Sequence, residues 1–335
     1  HVGDVRSNDS VVKPSQQEPG VTMKGGTRVF RPGLDKLEED EILDFDASAY
    51  KLYHPFTTQW PCLSFDILRD RLGVGRKRFP VTAYLVGGTQ AGQYDKNELV
   101  VMKLYDLHKM QNDDSDSDED ADGSSEDESG YDCDPIIVSK SIHHEGGVNR
   151  VRSMPQKPEI VASWSDNGSV YFFDVGVQLR SLDGPLAPGS KAPSELPFQS
   201  FDGHKQEGFA MDWSAAVPGR FLTGDCDRYI YLHEPIGNEA APSWKAEASS
   251  PFVGHTASVE DIQWSPSEGT VFASCSCDQS IRIWDTRQKQ RPQLSLEGAH
   301  DMDVNVITWS TLVGYLMASG ADDGSFKVWD LRNFE

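Results

Sequence analysis

Histidine, serine or threonine, and aspartate recur together along this chain of 335 residues, and these are the types from which a hydrolytic base, nucleophile and orienting acid are built. With His144, His204, His255 and His300 set in one column, Ser163, Thr223, Ser274 and Ser319 stand nineteen residues on without a gap. Asn167, Asp227, Asp278 and Asp323 stand twenty-three residues on. An enzyme needs one such set, whereas a set that returns at fixed spacing behaves as a structural device. No G-x-S-x-G elbow, phosphate-cradling Gly loop followed by Lys and Ser or Thr, or H-E-x-x-H is present, so neither an enzyme nor a cofactor is expected. His143 and His144 have no neighbouring Cys or His cluster, which argues against a metal.

The elements that must hold these columns are strands. Twenty-nine and thirty residues after each histidine come Phe173-Asp174, His233-Glu234, Trp284-Asp285 and Trp329-Asp330. Just before them apolar and polar residues alternate, as in Ile281-Arg282-Ile283 and Phe326-Lys327-Val328, the mark of a half-buried strand. A second strand carries Val161, Phe221, Phe272 and Met317, and a third carries Val151, Met211, Ile262 and Ile307, with Trp213, Trp264 and Trp309 two residues further on. Spacings of 60, 51 and 45 residues between units leave room for a fourth strand, so each unit is a small antiparallel sheet. A fifth, partial unit precedes them, with strands over 81–87 and 99–107 closing on Tyr105-Asp106.

Composition bounds the function. A formal charge of -22 argues against nucleic acid as a direct partner, because phosphate binding needs a basic surface. No run of 18 apolar residues occurs, which excludes a membrane-spanning helix. Five cysteines without ladder-like spacing do not form a disulfide framework, and Cys275 and Cys277 read as buried thiols before they read as a metal or redox pair. The chain starts at His1 and stops five residues after Asp330, so it reads as a fragment.

Gly203-His204, Gly254-His255 and the closing Trp-Asp pairs resemble the WD40 repeat, which implies an all-β fold, the β-propeller. In that family the loop His, strand Ser or Thr, turn Asp and closing Trp form one hydrogen-bonded tetrad. Full sets are His255, Ser274, Asp278 and Trp284, and His300, Ser319, Asp323 and Trp329. Asn167 and Phe173 break the first set and His233 replaces Trp in the second, so those sheets are expected to lose part of the network. The parent propeller is expected to have seven blades, of which about five are visible here, with an N-terminal helical segment and a truncated C-terminus.

Along the chain, residues 1–26 form a polar lead-in, 27–60 an adaptor of one or two short helices, 61–110 the first partial blade, 111–134 an acidic loop and 135–335 the WD40 repeats, with units near 144–174, 204–234, 255–285 and 300–330. A Pro-rich surface loop is expected over 181–200. The acidic loop holds Asp113, Asp114, Asp116, Asp118, Glu119, Asp120, Asp122, Glu126, Asp127 and Glu128 within sixteen residues. Such a run is either a solvated spacer or an electrostatic binder of a basic protein; its loose spacing does not match a calcium loop. Ser115, Ser117, Ser124 and Ser125 each have an acidic residue three positions on, resembling acidophilic kinase sites. Glu38, Glu39, Asp40 and Glu41 add a second acidic element upstream.

Trp60-Pro61-Cys62-Leu63-Ser64-Phe65-Asp66 resembles the segment leading into the first blade of histone-binding WD proteins, where an upstream helix forms part of a groove for a basic partner helix. Packing inside the blade is the competing reading for Trp60, Leu63 and Phe65. Trp284-Asp285-Thr286-Arg287 and Trp329-Asp330-Leu331-Arg332 resemble the ending seen in adaptors of cullin-4 ubiquitin ligases, which would make Arg287 and Arg332 the adaptor contacts. Together with the acidic tract, His143-His144 before Val148-Asn149-Arg150, and the segment from Gly254 to Trp264, these motifs resemble the glutamate-rich WD-repeat family from about Gly26 onward. The resemblance implies a nucleolar, hence nuclear, chaperone of a basic large-subunit ribosomal protein in ribosome biogenesis. A histone-binding chromatin module and a cullin-4 substrate receptor are the alternatives.

Overall fold

The columns become five antiparallel sheets in the computed structural model, which describes residues 29–31, 34–38, 41–46, 49–73, 75–109, 135–187, 189, 192, 194–238 and 241–333. The first sheet holds β1 (Cys62–Leu68), β2 (Val81–Thr89), β3 (Glu98–Leu107) and β4 (Ile136–His143). The second holds β5 (Val148–Met154), β6 (Lys157–Ser165), β7 (Val170–Asp174) and β8 (Gln199–Phe201), with one short helix, α1 (Gly176–Ser181), after β7. The third holds β9 (Ala210–Trp213), β10 (Phe221–Gly224), β11 (Ile230–Pro235) and β12 (Trp244–Ala246). The fourth holds β13 (Val259–Trp264), β14 (Val271–Ser276), β15 (Ile281–Asp285) and β16 (Leu294–Leu296). The fifth has three strands, β17 (Val304–Trp309), β18 (Leu316–Ala321) and β19 (Phe326–Asp330). Within each sheet the strands neighbour one another in chain order. This is the blade plan of the WD40 propeller.

Consecutive sheets touch through their first strands, β1 on β5, β5 on β9, β9 on β13 and β13 on β17. Four apolar cores fill the gaps. Leu99 and Val101 meet Val151 and Phe173 between the first two sheets, and Phe172 meets Trp213 and Phe221 between the next two. Leu222 and Ile230 meet Trp264 and Trp284, and Ile281 meets Ile307 and Met317. Polar side chains on each first strand then clasp backbone on the next. Ser64 Oγ accepts from Val151 N–H (3.1 Å), Asp66 from Ser153 N–H (2.7 Å), Asp212 from Trp264 N–H (2.7 Å) and Asp261 from Ile307 N–H (3.2 Å). The conspicuous tryptophan column works in the opposite direction: Trp213 Nε1 donates to Arg152 O and Trp264 Nε1 to Asp212 O. A buried carboxylate that accepts a backbone N–H satisfies a donor that would otherwise be costly to enclose.

The two ends of this arc present apolar residues: Phe65 and Ile67 on β1 are 60% and 62% exposed, and Phe326 and Val328 on β19 are 79% and 64% exposed.

Several expectations are corrected. The first unit, read as partial, is a full four-stranded sheet, because β1 precedes it and β4 arrives after the acidic tract. Trp60, Leu63 and Phe65 do not form its core; Leu63 and Phe65 are exposed, Trp60 is half-buried ahead of β1, and Ser64 and Asp66 are the residues that turn toward the second sheet. The adaptor over 27–60 has no α-helix among its described residues, only isolated turns such as Asp35 N–H to Arg31 O and Glu41 N–H to Glu38 O. Leu34 and Ile42 are 77% and 91% exposed, and a short helix with no face to bury is marginal in water.

Candidate functional site

The tetrads are internal ties. In the fourth sheet His255 Nδ1 meets Asp278 Oδ2 at 2.9 Å, His255 Nε2 meets Ser274 Oγ at 2.6 Å, and Trp284 Nε1 donates to the same Ser274 Oγ at 2.8 Å. Burial alone would raise the Asp278 carboxyl, but hydrogen bonds from His255, Ser280 and Thr256 N–H hold it far below the usual carboxylate range. In the fifth sheet His300 and Trp329 both reach Ser319, yet Asp323 lies 3.6 Å from His300, and Ser325 Oγ takes the near position at 2.9 Å. A serine stands twenty-five residues after the histidine in three of the four units (Ser169, Ser280 and Ser325), which is the signal that would have located this position.

The third sheet overturns the expected loss. His233 Nε2 lies 2.9 Å from Thr223 Oγ1, in the place of the missing indole, and Asp225, not Asp227, meets His204 Nδ1 at 2.7 Å. A ring nitrogen of imidazole can bond a hydroxyl as the indole nitrogen does, so the bond survives the change of residue. In the second sheet the loss is real. Phe173 supplies no donor to Ser163, His144 Nδ1 turns to Gly146 O (2.8 Å), and Asn167 bonds Tyr171 Oη (2.8 Å). None of these histidines opens on a substrate: His144, His204, His255 and His300 are all buried.

The surface with acidic chemistry gathers at one edge of the first sheet. Phe45 and Tyr53 stack at 4.2 Å with Tyr50 against them, and the next residue, His54, bonds His108 O at 3.1 Å. That contact brings the segment carrying Glu38, Glu41, Asp44 and Asp46 to the end of β3, from which the chain enters the acidic tract. Glu39, Asp40, every acidic residue from Asp113 to Glu128 and the four serines among them lie outside the described residues. Trp60, at the other end of the adaptor, is half-buried and its carbonyl accepts from Thr58 Oγ1 at 2.7 Å.

Arg287 and Arg332 fold back on the closing aspartates of their own repeats, Arg287 forking onto Asp285 and Arg332 onto Asp330 (2.6 Å), with the Arg332 guanidinium over the Tyr315 ring at 3.7 Å. Cys275 is buried in β14, and Cys277, just past the strand, points its thiol at Glu260 Oε1 (3.2 Å). Burial pushes both thiols up, so neither is a poised nucleophile. Among the described residues no group of three or more His, Cys, Asp or Glu is placed to hold a metal ion.

Comparison with known proteins agrees with this architecture. A family model for the histone-binding protein RBBP4 and its counterpart in the CAF1 complex matches residues 40–108, which is the adaptor and most of the first sheet. The WD domain, G-beta repeat model matches 247–285 and 290–330. The second of these spans opens on β16, the last strand of the preceding sheet. The glutamate-rich WD repeat-containing protein 1 of Dictyostelium discoideum is 48% identical over 281 residues, covering 82% of this chain and 56% of the relative. The ribosome assembly protein rrb1 of Schizosaccharomyces pombe is 44% identical over 270 residues, covering 79% and 53%. The histone acetyltransferase type B subunit 2 of the same yeast is 30% identical over 245 residues, covering 71% and 53%. The chain thus spans a little over half the length of these relatives. The repeat columns, the adaptor ahead of the first sheet and the level of identity converge: the chain belongs to the glutamate-rich WD-repeat family.

Proposed function

We propose that this chain is the acidic scaffold of a non-enzymatic assembly factor that shields a basic large-subunit ribosomal protein in the nucleus and nucleolus until rRNA takes it over. The observation that carries this reading is the meeting, at the end of β3, of the adaptor carboxylates with the root of a tract that holds ten acidic residues in sixteen. Two polyanionic segments from one edge offer a basic extension a temporary substitute for RNA phosphate, raising encounter rates and blocking wrong partners. The name of the yeast relative supports the assembly role. Phosphorylation at Ser115, Ser117, Ser124 or Ser125 would add about -1.5 to -2 charges each and strengthen the same attraction.

Affinity purification of the full-length protein from growing cells tests the proposal. A stoichiometric large-subunit ribosomal protein is expected, with retention weakened roughly tenfold or more when the ten acidic residues are replaced by Asn and Gln and with steep loss as salt rises. Full retention by the neutralised protein would overturn the electrostatic mechanism. The match of residues 40–108 to a histone-binding model supports a second reading, and recovery of histones in place of a ribosomal protein would move the function to chromatin. Arg287→Ala with Arg332→Ala leaves retention unchanged in both cases, because these side chains are engaged with Asp285 and Asp330. Only a ligase-adaptor role would make retention of the cullin-4 complex depend on them.

A further inference from the structure

The loop between β1 and β2 is the one strongly basic stretch of an acidic chain. Between Leu68 and Val81 it carries Arg69, Arg71, Arg76, Lys77 and Arg78 against the single carboxylate of Asp70. Arg76 is engaged with Asp70 at 2.8 Å and with Thr82 O at 3.1 Å. Arg69, Arg71, Lys77 and Arg78 are exposed and form no ion pair among the described residues. The loop rims a groove of about 350 Å³ whose floor is apolar, with Leu68, Leu72, Tyr84 and Leu179. Two of the carboxylates in its lining already have cations, Asp70 through Arg76 and Asp183 through Lys103 (2.8 Å), which leaves Glu159.

Strand register places this loop beside the origin of the acidic tract. Val81, where the loop ends, pairs with Leu107, the last residue of β3, and Tyr105 pairs with Ile136, where β4 begins. Leaving β1 at Leu68 and leaving β3 at Leu107, the chain exits the same end of the same sheet. We infer that the acidic tract between Asp113 and Glu128 docks on the Arg69–Arg78 loop of its own molecule. Tethering of this kind gives an effective concentration in the millimolar range for short linkers, and at physiological salt opposite charges within about 8 Å attract before screening removes them. The docking is independent of the identity of the client. It adds regulation to the proposed function, because a basic client then has to displace the loop from part of the tract, which sharpens selection for partners of high charge density.

Zero-length carbodiimide cross-linking of the full-length protein, prepared as a mixture of unlabelled and nitrogen-15-labelled molecules, tests the inference. Expected are bonds from Lys77 to carboxylates of the tract within single molecules, strong at low salt and lost in about 0.5 M salt, where the screening length falls to a few ångström. Lys289, on the fourth sheet's side of the arc, serves as the control. Cross-links that join only different molecules, or that form equally at Lys289, would overturn the inference. A labelled single-stranded oligouridylate provides the second readout: neutralising the tract should tighten its binding roughly tenfold by freeing the loop, and Arg69→Ser, Arg71→Ser, Lys77→Ser and Arg78→Ser together should abolish the gain. Equal RNA binding with and without the tract charges would make the loop a nucleic-acid site that the tract does not occupy, and would overturn the inference too.

Discussion

Trp284→Ala should destabilise the chain by about 3–5 kcal/mol, a large part of the stability of any domain of this kind. The indole is 1% exposed, stacks on Phe272 (centroids 6.0 Å apart, planes 12° apart), meets Phe252 edge-on and donates to Ser274. Removing it opens a cavity between the third and fourth sheets and leaves Ser274 tied to His255 alone. Trp284→Phe separates these effects: the ring volume is largely kept and only the donor goes, so a loss of about 1 kcal/mol is expected. Trp329→Ala should cost less than Trp284→Ala, since the fifth sheet has no neighbour on its outer side in this chain and Phe326 and Val328 beside it are already exposed. Urea unfolding, with hydrogen exchange on peptides from β13 to β16, checks the ranking. An unchanged midpoint for Trp284→Ala would show that the tetrad does not hold the sheet.

Acidification should destabilise the protein well before ordinary carboxylates titrate. Burial lowers His144 to about 4, against the carbonyl of Gly146, which favours the charged form; burial and the neighbouring His204 lower His233 to about 3. Burial also lowers His204 and His255. Each folded imidazole resists a proton that the unfolded chain accepts below about 6.5, so stability is full above that pH and falls as pH drops toward the folded value. The slope is ~1.4 kcal/mol per pH unit for each histidine, or ~3 kcal/mol for His144 between pH 6.5 and 4.

Asp212 pulls the other way. Enclosure between sheets raises it to about 7 despite its hydrogen bond from Trp264 N–H; the nearby Asp261 raises it further and Arg152 lowers it. A raised carboxyl contributes stability at low pH and loses it as pH climbs through 7. Asp212→Asn removes this opposing slope and should make the acid sensitivity steeper by ~1 kcal/mol per pH unit between about pH 4 and 7. Denaturant midpoints at half-unit intervals from pH 7.5 to 4.5 measure both slopes. Flat stability down to pH 5, or identical slopes for Asp212→Asn and the parent, would refute the assignment.

The sheets are readable in the sequence because their determinants are local: a histidine, a serine nineteen residues on and an alternating strand mark one blade without reference to anything distant. What escapes a reading of the residues depends on function being preserved while residue type changes. His233 looks like decay in a column of tryptophans, yet Thr223 needs a ring nitrogen at a given place and an imidazole supplies one. Asp225 does for His204 what Asp278 does for His255 from a different backbone position, which no column count can reveal. The fourth strand of the first sheet is hidden because the acidic tract separates β3 from β4, and pairing across such an insertion leaves no periodic trace. Ser64 and Asp66 are inconspicuous beside Trp60 and Phe65, since aromatic residues draw attention as packing while the clasp is made by polar atoms. The basic loop disappears inside a net charge of -22, which averages over distances far beyond the screening length.

The chain-order arrangement of strands sets the timetable of synthesis. At translation rates of about 5–20 residues per second, a sheet whose strands are consecutive can pair within seconds of leaving the ribosome, with no waiting for distant partners. The second, third and fourth sheets are of that kind. The first is not, because β3 ends at Leu107 and β4 starts at Ile136, so its edge stays unpaired while the whole acidic tract is made. The polyanion is therefore in solution before the sheet that anchors it is finished, and before any repeat downstream exists.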